Sequence, residues 1–399
     1  MDRNLSPWRP VLSYLGKKRW FPATCLLLLG LEVLIGPVLP TLVPETWFLR
    51  LYLPWAAIKK TEDFLAGKEH VVLDDQLGWR NNPHASFRSI RYDRLGSRSG
   101  AGITPGIRKN IRAVFLGDSR IGGYINIENC QTINACLEDD EIETLNLATD
   151  QYGLDQIYLS MQESIGEYHP DVVVIGVSPE VGEYLDSHYL PLVYPKAGLP
   201  LMKPRFILEN GRLRLRTPPF EAFLRDLPGS PEMLEYLAEN DPYYINFQRF
   251  RTRKVTPMLV LLSEVKATVN RWMLEAGKSM GNGPARHATN MPLVEALLEA
   301  SGTLAEEHGI DLICILLPVK DQLRGIEVPA YNEVAAALEK HSLAYVDVLS
   351  LLRDFEDPDS LMCDPVHMTY LSNRVIAERL RRMIHEIRSR GAMVSQTVH

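Results

Sequence analysis

Three residues far apart in this chain of 399 have the types and spacing that nucleophilic catalysis needs: Ser119, Asp364 and His367. A hydroxyl is a poor nucleophile until a base takes its proton, and the base needs an acid partner to orient it. Asp364-Pro365-Val366-His367 puts Asp and His three residues apart on one turn, and so supplies both. Asp364 would equally suit the N-cap of a following helix. Ser119 ends the stretch Ala113-Val114-Phe115-Leu116-Gly117-Asp118-Ser119, in which an apolar run stops abruptly at Gly-Asp-Ser. Gly-Asp-Ser alone is an ordinary turn; the distant Asp-x-x-His gives it chemical meaning.

The elements that must position these residues follow from the hydrophobic pattern. A short apolar run closed by a turn signal reads as a buried parallel strand, and open α/β sheets place their chemistry at the carboxyl ends of such strands. Gly117 permits a sharp exit, and Asp118 is expected to hold the turn through nearby backbone N–H groups. Strands are expected at 114–116, 144–147, 172–175, 312–317 and 344–348. Helices are expected at 155–166, 291–308, 331–341 and about 371–390, the last with Val375, Ile376, Leu380, Met383 and Ile384 at helical spacing. His169, before Pro170, is expected to cap a helix end. This alternation predicts an α/β fold, a flavodoxin-like three-layer α/β/α sandwich. Between the third and fourth strands runs an insertion of about 183–290, far longer than ordinary connections. It holds Asn210-Gly211 between alternating apolar positions, a strong hairpin signal, then a helical segment at about 257–276. A lid over the serine and a peripheral subdomain are both open for it.

A Gly-Asp-Ser at an early strand end, with Asp-x-x-His just before a final amphipathic helix, resembles the SGNH (GDSL-like) hydrolase family. The lead-in segments Leu77-Gly78-Trp79-Arg80-Asn81-Asn82-Pro83 and Tyr92-Asp93-Arg94-Leu95-Gly96-Ser97-Arg98 are similar to those of bacterial extracytoplasmic members linked to O-acetylation of polysaccharides. The resemblance implies Ser119 as nucleophile, His367 as general base and Asp364 as its orienter. It implies an oxyanion hole from backbone N–H groups, here Ser119 with Gln151 or Gly153. Gln151 stands where the family has glycine, five residues after Asn146. Glu180 stands where the family has an asparagine that donates to the oxyanion; removing one such donor typically costs about 2.7–4 kcal/mol. Asp118, Gln156 and Glu180 are further candidates for contact with substrate or for supporting the site. The sequence has no metal-ligand spacing and no nucleotide-binding glycine loop, so neither metal nor cofactor is expected.

Hydrophobic content of 46% and charged content of 23% fit a globular protein, and the net charge of −7 argues against a nucleic-acid partner. Arg3, Arg9, Lys17, Lys18 and Arg19 precede an apolar run from Phe21 to Val43. About 20 apolar residues cross a bilayer, so 21–43 is expected to be an uncleaved transmembrane anchor, with a cleaved signal peptide as the alternative. Its basic flank places 1–20 in the cytoplasm and the rest outside, in the inner membrane facing the periplasm. Residues 44–72 are expected to be an interfacial segment and linker, 73–390 the catalytic domain and 391–399 a tail. The five cysteines show no metal pattern; Cys130 and Cys136 are close enough in sequence to bridge, with free thiols favoured.

The sequence therefore points to a membrane-anchored serine esterase or O-acyltransferase, acting on acyl, expectedly acetyl, esters of cell-envelope carbohydrate. Its partners would be an acylated carbohydrate or acyl donor, the membrane, and other envelope polysaccharide proteins. The alternative is a catalytically impaired binding or assembly subunit of the same fold, which the altered positions 151 and 180 motivate.

Overall fold

The computed structural model of the chain describes residues 44–53, 63–64, 67, 69–98, 108–123, 125–182, 184–193, 201–220, 230–252, 290–355 and 357–397, with Gly30. Five strands form its parallel sheet: β1 Ile111–Leu116, β2 Ile142–Asn146, β3 Val172–Val177, β4 Asp311–Leu316 and β5 Ala344–Asp347. They lie in the order β5-β4-β3-β1-β2, all parallel. The strand order reverses between β1 and β3, and the crevice outside the carboxyl ends at such a switch point is where open α/β sheets bind ligands. Gly-Asp-Ser leaves β1 at that place.

The strands form because both faces are covered, so every second residue meets one of two cores. Val114, Leu116, Val173, Ile175 and Leu316 pack against the helices α1 (Leu154–Tyr168), α2 (Met291–His308) and α3 (Pro329–Lys340). Ala113, Phe115, Val174, Ile313 and Ile315 pack against the helix α4 (Tyr370–Thr397) and the short helices Ile133–Leu137 and Val348–Leu352. This is the expected three-layer sandwich. Local signals set its ends: His169 is left-handed (φ 48°) and returns its N–H to Ile165 O at 3.3 Å, ending α1 as expected. Asn290 caps α2 through its side chain and Gly309 (φ 64°) closes it. α4 continues beyond its expected end near Arg390 into the segment read as a tail, since no proline follows.

The insertion leaves the sheet after β3. Its hairpin pairs Arg205–Glu209 with Arg212–Arg216 across Asn210 (φ 54°) and Gly211 (φ 73°), the positive pair that a two-residue hairpin turn requires. Helices Pro231–Asn240 and Tyr244–Thr252 form a third core with Tyr189, Leu192 and Met202. The helix Glu45–Tyr52 joins this core through Phe48, Leu49 and, just past its end, Leu53. The sequence placed these apolar side chains at a membrane interface; the structure buries them in protein. The helix expected at 257–276 and, Gly30 apart, the anchor expected at 21–43 lie outside the described residues. Among the described residues no helix is long and apolar enough to cross a membrane. Cys130 and Cys136 are free thiols.

The insertion is tied to α1 by a buried ion pair. Lys203 donates to Asp155, in the first turn of α1, and both side chains are fully buried. Beside it Asp241 accepts from Ser187 Oγ (2.7 Å) and His188 N–H (2.7 Å), and His188 Nδ1 donates to Lys203 O (2.9 Å). Burial pushes the His188 imidazole down to about 3, so the ring is neutral in this setting. Removing one partner of a buried pair leaves an uncompensated charge. Lys203→Met should therefore cost roughly 3–5 kcal/mol in urea unfolding, and Lys203→Met with Asp155→Leu should recover most of it. A loss no larger in the single variant than in the double would contradict this role.

Candidate active site

The turn that carries Ser119 is built by short-range geometry. Asp118 caps the one-turn helix Ser119–Gly122, its Oδ1 accepting from Arg120 N–H at 2.9 Å and its main-chain oxygen from Ile121 and Gly122. Asp118 thus holds the turn as expected. The turn sits close on the sheet because Gly117 and Gly176 have no Cβ: one at Gly117 would lie 2.7 Å from Ile121 Cγ1, and one at Gly176 would run into the same side chain. Ser119 opens the helix, so that helix does not use its N–H; its side chain is half-buried.

The other arm comes from the loop before α4. Cys363 N–H donates to His367 O (2.8 Å) and Met362 bridges to Met368, closing residues 362–368 into a tight loop. Lys320 N–H, just past β4, donates to Pro365 O (2.8 Å) and fixes that loop to the sheet edge. Asp364 Oδ1 accepts from the N–H groups of Val366 and His367, both at 2.9 Å, and Asp364 Oδ2 accepts from His367 Nδ1 at 2.7 Å. Ser119 Oγ donates to His367 Nε2 at 2.9 Å. The Asp364 carboxylate therefore organises its own loop and the imidazole, and does not cap α4, which starts at Tyr370. Partial burial raises the Asp364 carboxyl, but the His367 ring and the two N–H groups outweigh it and hold the carboxyl below its ordinary range. The chain brings together all three residues of the expected triad.

The loop from Asn146 to Gly153 forms the other wall. Leu147 N–H donates to Phe115 O (3.0 Å) and Thr149 N–H to Gly117 O (2.9 Å), so the loop lies along the exit of β1. Gln151 takes a left-handed conformation (φ 63°), uncommon without glycine and costing about 1–3 kcal/mol, which the surroundings must offset. Gly153 is corrected as an oxyanion donor. Its N–H goes to Gln156 Oε1 at 3.3 Å, and it serves as the N-cap position of α1. Gln156 is likewise structural: fully buried, it donates from Nε2 to Leu77 O at 2.7 Å. Glu180 falls in the short helix Pro179–Gly182, and its side chain lies outside the described residues.

Sequence reasoning missed the residues that support this wall. Asn146 is buried; its Nδ2 donates to Ile121 O (3.0 Å) and Asn134 Oδ1 (2.7 Å), tying the loop to the nucleophile helix. Asn81 Nδ2 donates to Ala148 O (3.1 Å) and Trp79 Nε1 to Asp150 O (2.9 Å). Arg98, 1% exposed, donates to Ile127 O (2.6 Å), Gly122 O (3.2 Å) and Gly123 O beneath the nucleophile helix, and burial pushes its guanidinium down to about 10. The sequence signals for these residues lay in the lead-in segments and, for Asn146, in its place five residues before Gln151. Among the described residues no cluster of His, Cys, Asp or Glu is arranged to hold a metal.

No protein-family model matches the chain, and no curated protein matches it. Solved structures with a similar architecture include a lipase/acylhydrolase from Enterococcus faecalis at 11% identity, covering 69% of this chain and 95% of that one with a TM-score of 0.37. An acetyl xylan esterase, AlAXEase, is 12% identical, covering 69% and 100% with a TM-score of 0.37. A G-D-S-L family lipolytic protein from Desulfitobacterium hafniense is 14% identical, covering 68% and 99% with a TM-score of 0.32. These likenesses are at low identity and low TM-score, and carry neither fold nor substrate to this chain. The described residues have an α/β fold on a five-stranded parallel sheet.

Two outcomes test the triad. Asp364→Asn keeps the loop but takes away the charge behind His367, and kcat for an acyl ester should fall by roughly 10⁴ with KM little changed; a fall under tenfold would contradict the assignment. The second concerns acid. Because the folded Asp364 carboxyl is held below its ordinary value of 3.8, its stabilisation is present above that pH and is lost as pH falls through the folded value. The stability gap between wild type and Asp364→Asn should be full near neutrality and close under acid, in thermal unfolding read across pH. A gap that widened on acidification would be the wrong sign.

Proposed function

We propose that the protein is a serine esterase or O-acyltransferase working through an acyl-serine intermediate, anchored by residues 21–43 and facing the extracytoplasmic side. The observation that carries this reading is the continuous chain Ser119 Oγ to His367 Nε2 at 2.9 Å and His367 Nδ1 to Asp364 Oδ2 at 2.7 Å. Ser119 Oγ attacks the acyl carbonyl carbon while His367 Nε2 takes its proton, and Asp364 stabilises the imidazolium that forms. The tetrahedral oxyanion faces the Ser119 N–H and the Gln151 side of the neighbouring loop. When the intermediate collapses, the alkoxide leaves with the proton from His367. Water or a sugar hydroxyl then attacks the acyl-serine, again giving its proton to His367, and leaves as carboxylic acid or as a new ester. The direction toward acetylated envelope carbohydrate rests on the expected anchor and on the lead-in segments 77–83 and 92–98.

A second reading, an envelope binding or assembly subunit, is favoured by the engagement of the Gly153 N–H and by Glu180 at a position where a side-chain donor is expected. One set of assays separates the two. Full-length protein in detergent should hydrolyse p-nitrophenyl acetate or move its acetyl group to an oligosaccharide, and Ser119→Ala should remove that activity. If wild type does neither and Glu180→Asn creates turnover, the binding reading holds and the enzyme reading fails.

A further inference from the structure

A second histidine with two carboxylates sits behind the wall of the site, on the segment that leads into the domain. His70, 4% exposed, has Nε2 3.0 Å from Asp150 Oδ2 and Nδ1 3.2 Å from Glu69 Oε2. Its ring stacks on Phe87, with centroids 5.2 Å apart and planes 25° apart, and its main-chain oxygen accepts from Asn82 N–H at 2.8 Å. The ring has little freedom to turn. Asp150 immediately precedes the left-handed Gln151, and its own main-chain oxygen is held by Trp79 Nε1. One residue earlier, Thr149 N–H is bonded to Gly117 O in the nucleophile turn. The side chain that His70 grips therefore lies between a contact with the Ser119 turn and the left-handed backbone of Gln151.

We propose that His70 is a positioning residue, whose grip on Asp150 fixes the 147–153 loop in the conformation that acyl transfer at Ser119 needs. The proposal rests on the serine esterase or acyltransferase reading above. His70 is not a catalytic residue, because it is buried and both its ring nitrogens face carboxylates away from the serine. The need for histidine is electrostatic: Asp150 and Glu69 bring two carboxylates to one partly dry place, and a cation between them relieves their repulsion. The groups facing this cluster are Asp150 and Glu69 on the ring, Phe87 against its face, and the Tyr92 hydroxyl and Arg98 guanidinium, which act on Asp150 from the neighbouring lead-in. Burial pushes the His70 ring down, but the hydrogen bond to Asp150 and the carboxylates of Asp150 and Glu69 prevail and lift it to about 9. With the folded value above the ordinary 6.5, the support is complete below that pH and is lost as pH rises through about 9.

Hydrogen exchange and kinetics on the full-length protein test this together. In His70→Gln the peptide over 147–153 should lose protection near neutral pH while β1 and α2 keep theirs, and kcat should fall roughly 10- to 100-fold with KM little changed. The wild-type loop should lose protection, and kcat should fall, as pH rises through about 9, and that alkaline limb should be missing in His70→Gln. Asp150→Asn should reproduce the loss by removing the other half of the grip. If His70→Gln fails to fold, the wild-type titration and Asp150→Asn still decide. Unchanged loop protection, or loss of protection with kcat unchanged, would overturn the proposal. If wild type turns over no ester at all, the enzymatic reading fails, while the exchange data still establish or refute the hold of His70 on the loop.

Discussion

The hydrogen bond from Ser119 Oγ to His367 Nε2 joins residues 248 positions apart, and the rest of the domain is arranged so that these two atoms stand 2.9 Å apart. Neither side chain is held by its own segment alone. Ser119 is placed by the exit of β1, which needs Gly117 and Gly176 so that Ile121 can lie flat on the sheet. His367 is placed by a loop closed on itself through Cys363 and attached to the end of β4 through Lys320 and Pro365. A parallel sheet makes such a meeting natural, because every strand delivers its carboxyl end to the same edge. An error of about 1 Å at either arm can cost about 10²-fold in rate, and many buried polar contacts converge there.

Those contacts divide into two sets. One runs from the lead-in segment to the loop after β2, through Asn81, Trp79, Arg98 and His70. The other runs from the insertion to the start of α1, through Lys203 and Asp155. Burying each of these groups costs free energy unless a partner is supplied, so they act as specific fasteners where apolar packing alone would leave the loops free to shift. The insertion also packs around the helix Glu45–Tyr52, so that helix shares the insertion's core.

Much of the fold was legible because its signals are local. The apolar runs at 113–116, 172–175 and 312–317 are continuous, as strands buried on both faces must be, and Asn210-Gly211 encodes its own turn. The triad was legible because Asp-x-x-His and Gly-Asp-Ser carry chemistry in their spacing. The oxyanion wall was not, because backbone direction leaves little trace in sequence: Gly153 read as a donor, while its N–H is spent on Gln156. The roles of His70, Arg98 and Asn81 were hidden for a different reason. Each depends on a partner more than ten residues away, and a lone buried cation or amide in a lead-in segment has no periodicity to betray it. Phe48 and Leu49 show the same limit, since an apolar helix looks alike whether protein or membrane covers it.

The central claim is that Ser119 is a working nucleophile driven by His367. The most direct measurement is intact and peptide mass of the purified protein after exposure to an activated acetyl ester, beside Ser119→Ala and His367→Ala. The account predicts one acetyl group on the peptide carrying Ser119 in the wild type and none on that peptide in either variant. An unmodified Ser119 in the wild type, or the same modification in His367→Ala, would contradict it.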